Sequence, residues 1–300
     1  MPHVIQEILV PESEPVKKAE NFLKHRFPIG YVRKLFRKNA IRLNRRRAKS
    51  HDLVRPGDRI QLYIPFETKS ERLTDKSSVQ TELRILYEDE DLLVILKPPG
   101  IAVHEGKQVP RHRSLLGLLE TKHHKAGIVP KLVHRLDKDT SGVLVVAKNE
   151  CTAQEFESAF AKGDVQKEYL CLVAGRLPQG TGTIDRPLPG RDGTPVPAIT
   201  HFTVVKRYSQ STLIRVSLET GRMHQIRQHC AGIGYPIVMD DRYGDFAFNR
   251  QFRRSWGLRR QFLHAVSIAT RHKGSMRKWT APLPQDLKTV LTRLEASERG

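Results

Sequence analysis

A cluster of polar residues that leads directly into an aliphatic run, residues 132–148, constrains the fold of this chain most strongly. His134, Arg135 and Asp137 fall within four residues, and an apolar run of strand length follows. Leu136 separates the arginine from the aspartate, so both charged side chains can point the same way while the leucine anchors the loop in the core. Charged groups beside a buried strand are costly unless they are hydrogen-bonded, paired or used. The stretch therefore predicts either a solvated turn with an incidental salt bridge or a functional site.

The order of residues in this stretch is more specific than its charge. From His134 onward it reads His-Arg-Leu-Asp-x-x-Thr-Ser-Gly-Val-Leu-Val-Val-Ala-Lys. This string resembles the central motif of the RluA family of pseudouridine synthases, where the Asp of the loop is the catalytic residue. The resemblance implies that Asp137 is the nucleophile and that Arg135 helps to displace the flipped uridine from its stack. It also implies substrate contacts for His134 and Thr140.

Three further stretches resemble motifs of the same family, in the same order along the chain. Lys-Pro-Pro-Gly-Ile-Ala-Val-His begins at Lys97, where we expect a structural turn and a phosphate-facing surface. Lys-x-Tyr-x-x-x-Val-x-Gly begins at Lys167 and implies that Tyr169 is the active-site tyrosine. Thr-Gly-Arg-x-His-Gln-Ile-Arg-x-His begins at Thr220 and resembles the third motif of the family.

The third motif implies the remaining residues of the site. We expect Arg227 to pair with Asp137, because a guanidinium within about 4–6 Å favours the ionised form of a carboxylate. Tyr169 would offer a stacking face to the detached uracil, and Ile226 an apolar wall.

The same stretch predicts a helix. Met223, Ile226 and Cys230 recur at helical spacing and form an apolar face. Arg222 and His224 crowd the predicted start of the helix, and we expect both to bind substrate.

The implied reaction needs no cofactor. The family breaks the glycosidic bond of uridine in RNA, rotates the uracil and rejoins it through carbon, so nothing is oxidised and no group is added. Asp137 either attacks the anomeric carbon or abstracts a sugar proton, and both routes require its ionised form. Cys151, Cys171 and Cys230 are isolated, and we expect small buried side chains rather than metal ligands.

The N-terminal part of the chain is strongly basic. Residues 16–65 carry 15 lysines and arginines against three acidic residues, a net charge of +12. Two short predicted helices separated by Pro28-Ile29-Gly30, followed by small strands, resemble the S-four-type (alpha-L) RNA-binding domain. A generic basic face is the alternative. The resemblance implies that RNA binds to residues of the second helix and its exit: Arg33, Lys34, Arg37, Lys38, Arg45, Arg46 and Arg47.

The composition between these regions predicts the domain organisation. Residues 66–81 are polar and nearly devoid of core-forming side chains, which predicts a linker between a domain of residues 1–65 and one of residues 82–300. The resemblance implies an α+β catalytic domain, with a mixed, mainly antiparallel sheet flanked by helices, and a small α/β N-terminal domain.

The charge balance indicates the partner. A net charge of +20 favours a polyanion. Nucleic acid is favoured over a membrane surface, because no basic amphipathic helix, lipidation motif or apolar run of about 20 residues is present. We expect a cytoplasmic monomer that acts on RNA, with large-subunit ribosomal RNA preferred over tRNA because of the N-terminal resemblance.

Two other classes of function stay open at this point. A non-catalytic RNA-binding assembly factor would share the basic charge. A nucleoside or glycoside hydrolase would need paired carboxylates, for which Asp139 is the one local candidate.

One basic stretch is not explained by the motifs. Residues 250–260 carry five arginines with two aromatic residues. The composition suits either RNA contact or a solvated basic loop with a buried Trp256.

Overall fold

The computed structural model describes residues 6–27, 29–63, 83–106, 109–123, 128–190 and 192–298. The chain divides into two compact units, residues 1–81 and 82–300. The predicted linker, residues 66–81, lies outside the described residues. Each unit has a hydrophobic core of its own.

The first unit packs two short helices on small antiparallel sheets, as the sequence predicts. Its core is built from apolar side chains at helical spacing that meet alternating strand residues, Phe22, Leu23, Val32, Leu35, Ile41, Ile60 and Leu62. Strands β1, β6, β3 and β4 form one sheet in that order, and β2 pairs with β5. The elements are β1 (Gln6–Leu9), β2 (Lys17–Lys18), α1 (Ala19–Lys24), α2 (Ile29–Arg37), β3 (Ile41–Leu43), β4 (Arg46–Arg47), β5 (Leu53–Val54) and β6 (Arg59–Leu62).

The second unit is built on a ten-stranded sheet with helices around it. The ten strands of this sheet are β7 (Arg84–Glu88), β8 (Leu92–Lys97), β9 (Lys131–Leu132), β10 (Ser141–Ala147), β11 (Gln166–Ala174), β12 (Thr181–Asp185), β15 (Ile199–Arg207), β16 (Ser211–Leu218), β17 (Leu263–His272) and β18 (Ser275–Thr280). Strands β13 (Leu188–Pro189) and β14 (Pro195–Val196) pair with each other in a separate two-stranded sheet. Its helices are α3 (Leu115–His123), α4 (Glu150–Lys162), α5 (Gln225–Gly232), α6 (Phe246–Trp256) and α7 (Gln285–Ser297), with a 3-10 turn at Arg111–Arg113.

The sheet is antiparallel except where β10 meets β17. Its order is β12-β15-β16-β11-β17-β10-β8-β7, while β9 pairs with β10 and β18 with β17. Strand β17 is parallel to β10 at Ser141 and Gly142, and from Ser267 onward it pairs with β18. A Cβ on Gly142 would lie 2.2 Å from the carbonyl oxygen of Ala265, so only glycine allows this close approach. The approach fixes the end of the loop that carries Asp137.

The central strand and the helix after it follow the sequence pattern closely. Every residue of β10 is buried, which explains why the strand is apolar from Gly142 to Ala147 instead of alternating. Helix α4 begins where the Asn149 side chain accepts the Thr152 N–H, and ends at Gly163 with a φ of 79°. Of the cysteines, Cys171 and Cys230 are buried as expected, whereas Cys151 on α4 is exposed.

Two local predictions are corrected. Helix α5 begins at Gln225, because His224 adopts a left-handed φ of 55° that a continuous helix cannot contain. Met223 therefore precedes the helix and is 55% exposed instead of lying on its apolar face. Most of the arginine-rich stretch, in turn, belongs to α6 and is not a loop. Among the described residues, no helix is both long and apolar enough to cross a membrane.

Candidate active site

A cleft of about 1160 Å³ opens on the second unit between the loop that precedes β10, strand β11 and the start of α5. All nine residues predicted for catalysis and substrate binding border it: Arg135, His134, Asp137, Thr140, Tyr169, Arg222, His224, Ile226 and Arg227. The sequence motifs, which are up to 93 residues apart in the chain, therefore converge on one site.

Asp137 and Arg227 meet at the floor of this cleft. An Nη of the guanidinium lies 3.2 Å from Oδ2 of the aspartate, and both side chains are largely buried. The predicted anchor Leu136 is buried in the main core, while Arg135 is exposed. The carboxylate of the loop and its cationic partner on α5 thus meet with little solvent around them, where their electrostatic interaction is strengthened.

Arg227 is itself held by two further carboxylates. Its Nε and one Nη donate to the two oxygens of Asp240 at 2.6 and 2.8 Å, in the bidentate geometry that suits guanidinium. The same Nη donates to the exposed Asp241 at 3.0 Å. Burial opposes the charge on Arg227, but the hydrogen bonds and charges of Asp240 and Asp137 raise its pKa above the ordinary value. The guanidinium therefore stays charged and fixed in orientation.

Asp240 was not identified from the sequence as a site residue. It is fully buried, and its Oδ1 also accepts the backbone N–H groups of Arg242 and Tyr243. Burial raises its pKa, but these hydrogen bonds and that of Arg227 outweigh the burial, so the pKa is lowered overall. The sequence does contain a signal for Asp240, the Asp-x-x-Tyr-Gly pattern after the third motif. The pattern alone does not show that Asp240 binds Arg227, which lies 13 residues earlier in the chain.

His224 lies on the other side of the carboxylate. Its Nε2 is 3.7 Å from Oδ1 of Asp137, which is too long for a hydrogen bond, and its Nδ1 is 3.2 Å from the hydroxyl of Tyr243. Burial, together with the charges of Arg227 and Arg242, lowers the pKa of His224 although Asp137 opposes the shift. The imidazole is therefore neutral at neutral pH and can be turned toward a bound substrate without adding charge.

Tyr169 and Ile226 give the cleft its apolar surfaces. Both side chains are buried in the main core and border the cleft. Burial, with a smaller contribution from the charge of Asp137, raises the pKa of Tyr169, so the phenol is neutral. A neutral aromatic ring of this kind can stack on a pyrimidine base.

His134 and Thr140 direct their polar atoms into the protein. Nε2 of His134 accepts the Val145 N–H at 2.9 Å, and burial with the nearby charge of Lys167 lowers its pKa to about 3. Oγ1 of Thr140 accepts a hydrogen bond from Gln261 at 2.7 Å. These hydrogen bonds of His134 and Thr140 hold the loop in position. Gln261, which binds Thr140, was not identified as a site residue from the sequence.

The start of α5 is fixed by a similar set of contacts. Gln225 accepts the Arg222 N–H and donates to the carbonyl of Ile199 and the hydroxyl of Thr200. Nε of Arg222 donates to the carbonyl of Pro197 at 3.0 Å. Gln225 is buried, so its amide secures the turn that presents His224 and Arg227 to the cleft.

Of the two roles expected for the stretch that begins at Lys97, a structural turn and a phosphate-facing surface, Lys97 has a structural role and does not face the surface. Its side chain is fully buried, and its ammonium donates to the carbonyls of Pro98, Lys138 and Thr140 at 2.8–3.0 Å. Burial lowers the pKa of Lys97 to about 7, although the charges of Asp139 and Asp137 oppose this shift. Lys97 fastens both ends of the segment that follows Asp137.

We expect Lys97→Ala to lower the free energy of unfolding by about 3 kcal/mol or more, because three carbonyls lose their donor and a cavity is left. Urea denaturation measures the change. The matched control is Lys138→Ala, whose side chain is exposed on the same loop and should change stability by about 0.5 kcal/mol at most. Equal stability of the two variants would contradict the anchoring role.

The predicted RNA-binding residues of the first unit are mostly exposed. Arg33 and Arg37 on α2 and Lys38 directly after it are exposed. The side chain of Lys34 lies outside the part of the chain that the structure describes. A hairpin between β3 and β4 turns at Asn44 and Arg45, both with positive φ, and exposes Arg45, Arg46 and Arg47. Of these residues, Arg33 has an acidic neighbour: its Nε lies 3.7 Å from Oε1 of Glu20.

One cluster has the composition of a metal site. Ligand atoms of Asp89, Asp91 and His272 lie within 4.8 Å of one another. The ammonium of Lys273 lies 3.0 Å from Asp91 and 3.5 Å from Asp89, so a cation already neutralises these carboxylates. Ion pairing accounts for the cluster.

The chain is similar to known pseudouridine synthases along nearly its whole length. A family model described as RNA pseudouridylate synthase matches residues 91–232. The Haemophilus ducreyi protein named ribosomal large subunit pseudouridine synthase C is 33% identical over 319 residues, which cover 98% of this chain and 97% of the relative. The Escherichia coli (strain K12) protein of the same name is 33% identical over 317 residues, covering 97% of each.

Solved structures give the same fold. A human protein described as RNA Pseudouridylate Synthase Domain Containing 4 has a TM-score of 0.61 and 26% identity, over 71% of this chain and 93% of that chain. The predicted α+β class, with its mainly antiparallel sheet, is thereby confirmed. Sequence similarity of this extent shows that the chain belongs to the RluA family of RNA pseudouridine synthases, which are isomerases.

Proposed function

We propose that this protein isomerises specific uridines in large-subunit ribosomal RNA. The observation that carries the proposal is the buried Asp137–Arg227–Asp240 chain of charges at the floor of the cleft. Relatives that share about a third of its residues over the full length are named ribosomal large subunit pseudouridine synthase C, which supports ribosomal RNA as the substrate. We further propose that it acts as a monomer in the cytoplasm.

The reaction begins with access to a base that is stacked within RNA. Extruding a nucleotide costs about a few kcal/mol, so a side chain must compensate for the stacking that is lost. Arg135 is exposed and borders the cleft, and its planar guanidinium can fill the vacated position. The extruded uracil then enters against Tyr169 and Ile226.

Asp137 acts on the nucleoside once it is bound. As a carboxylate it either attacks the anomeric carbon or removes a sugar proton, and the detached uracil rotates against Tyr169 before carbon replaces nitrogen in the glycosidic bond. Arg227 pairs with the carboxylate and orients it. Asp240 keeps Arg227 in place, so that the guanidinium does not turn toward substrate phosphates.

The test is a map of pseudouridine in cellular RNA by carbodiimide modification and primer extension. Cells lacking the protein are compared with cells to which the wild-type copy has been restored. We expect a primer-extension stop in large-subunit ribosomal RNA that is absent from cells lacking the protein and returns when the wild-type copy is restored. A stop that changes only in tRNA would overturn the substrate, and no change in any RNA would overturn the activity.

We also propose that the first unit is an RNA-binding domain of the S-four type. The exposed hairpin tip with Arg45, Arg46 and Arg47 supports this proposal, as does the basic exposed face of α2. Phosphate contacts would give RNA affinity a steep dependence on salt.

Two arginines of the hairpin provide a quantitative test in the full-length protein. We expect Arg45→Gln with Arg46→Gln to reduce the slope of log affinity against log salt by about 1.5, because two phosphate contacts are lost. Filter binding to a large-subunit RNA transcript measures the slope. The control, Lys17→Gln with Arg59→Gln, removes equal charge from residues that are paired with Glu14 and Glu7. An equal effect of both variants would argue against a specific surface.

A further inference from the structure

Helix α6 has one apolar face and one basic face. Asn249 and Phe252 are buried. The ring of Phe252 stacks on that of Phe248 at 5.6 Å between centroids and makes a tilted contact with that of Trp256 at 6.1 Å. The outer face is exposed and includes Phe246, Arg250, Arg253 and Arg254. These residues recur at positions i, i+4, i+7 and i+8, so they form one stripe along the helix.

The arginines of this stripe lack acidic partners. Among the described residues, no carboxylate lies within 4.0 Å of Arg250, Arg253 or Arg254. Like charges three or four residues apart in a helix destabilise it, so the stripe is unfavourable by itself. An anion bound across the arginines would remove this repulsion.

Acidic residues near α6 are engaged elsewhere. Asp240 and Asp241 bind Arg227, and Asp245 caps the helix by accepting the N–H groups of Ala247 and Phe248. Within α6 itself, every charged side chain is an arginine.

Helix capping does not explain the arginines. Basic residues in a last turn commonly neutralise the free carbonyls there. In α6 the carbonyls of Ser255 and Trp256 accept hydrogen bonds from Arg293, and that of Arg253 accepts the Gly257 N–H. Arg250, in the middle of the helix, is outside the range of this effect.

Phe246 gives the stripe an aromatic end. Its side chain is 61% exposed, at the start of the helix. An exposed ring beside unpaired arginines is the combination that stacks on an unpaired base while guanidinium groups bind the phosphates around it.

The stripe is rigidly connected to the catalytic cleft. Asn249 accepts the Met239 N–H at 2.7 Å and donates to the carbonyl of Asp240 at 2.9 Å. Gly244 passes so close that a Cβ there would lie 2.3 Å from the same carbonyl oxygen. An RNA segment held on α6 is therefore held at a fixed position relative to Arg227, and through it to Asp137.

We propose that the exposed face of α6 binds the RNA strand that flanks the target uridine, with the arginines on phosphates and Phe246 on an unpaired base. This inference rests on the proposed function, since it assigns a second contact to the same RNA substrate. The surface acts on substrate binding and leaves the chemical step unchanged.

The test uses the full-length protein and an unmodified transcript of large-subunit ribosomal RNA. For Arg250→Gln with Arg254→Gln we expect KM for pseudouridine formation to rise roughly tenfold at unchanged kcat. We expect the salt slope of binding to fall by about 1.5. Phe246→Ala should raise KM several-fold and leave the salt slope unchanged, because it removes stacking without removing charge.

The control removes the same charge from another surface. Arg84 on β7 and Arg277 on β18 are exposed, do not border the cleft and, like the α6 arginines, have no acidic partner within 4.0 Å among the described residues. Arg84→Gln with Arg277→Gln should leave KM and salt slope near those of the wild type.

The outcomes separate this inference from the proposed function. Wild-type KM and salt slope in the α6 double variant would overturn it, and so would an equal loss in the control. The binding measurement decides the role of α6 independently of turnover. A wild-type protein that forms no pseudouridine on the transcript would instead count against the proposed function.

Discussion

Asp137→Asn should abolish pseudouridine formation and leave RNA binding nearly intact. The amide keeps the shape of the side chain but can neither attack carbon nor accept a sugar proton, so kcat should fall by a factor on the order of 10⁴ or more. Arg227 retains its bidentate contact with Asp240, so the fold should persist. Tritium release from RNA that carries [5-³H]uridine measures the reaction, because the new carbon bond displaces that hydrogen.

The neighbouring aspartate is the control. Asp139 lies two residues further along the same loop, and its carboxylate does not border the cleft. Asp139→Asn should therefore keep kcat within a few-fold of the wild type. A collapse of activity in both variants would indicate a paired-carboxylate mechanism, and turnover by Asp137→Asn would contradict the assigned role of Asp137.

The parts of the fold that follow local rules were predictable from the sequence. The continuous apolar run became the fully buried β10, and the asparagine and glycine that bound α4 act through contacts within a few residues. The clustering of Asp137, Tyr169 and Arg227 came from the order of motifs in a known family. No local pattern brings residues this far apart in the chain together.

The roles that sequence reasoning missed depend on contacts distant along the chain. Lys97 is buried because carbonyls 41 and 43 residues later surround its ammonium, and a lysine beside prolines gives no sign of them. The error at Met223 has a different cause. The apolar spacing extends back across His224, whose left-handed φ makes the helix begin only at Gln225. Exposure of Cys151 likewise depends on which face of α4 meets the sheet.

Asp240→Asn should have the second largest effect, and it should act on stability and catalysis together. Removing one partner of a buried ion pair costs about 3–5 kcal/mol, and here Arg227 stays charged after it loses its bidentate partner. The folded state lowers the pKa of Asp240, so its contribution is present above the unfolded-state pKa of about 3.9 and is lost as the pH falls through the folded value. Urea unfolding of wild type and variant at neutral and at acid pH measures this difference.

A matched variant separates the buried contact from simple loss of charge. Asp241 binds the same guanidinium at 3.0 Å, but its side chain is 81% exposed, and exposed ion pairs contribute about 0–1 kcal/mol. Asp241→Asn should therefore leave unfolding and kcat close to the wild type, whereas Asp240→Asn should lower both, kcat by a factor on the order of 100 because Arg227 no longer orients Asp137. Equal behaviour of the two variants would mean that the orientation of Arg227 does not depend on Asp240. The difference expected between them follows from burial and from the number of contacts. Both carboxylates accept from the same Nη of Arg227, but Asp240 also accepts from its Nε and from two backbone N–H groups.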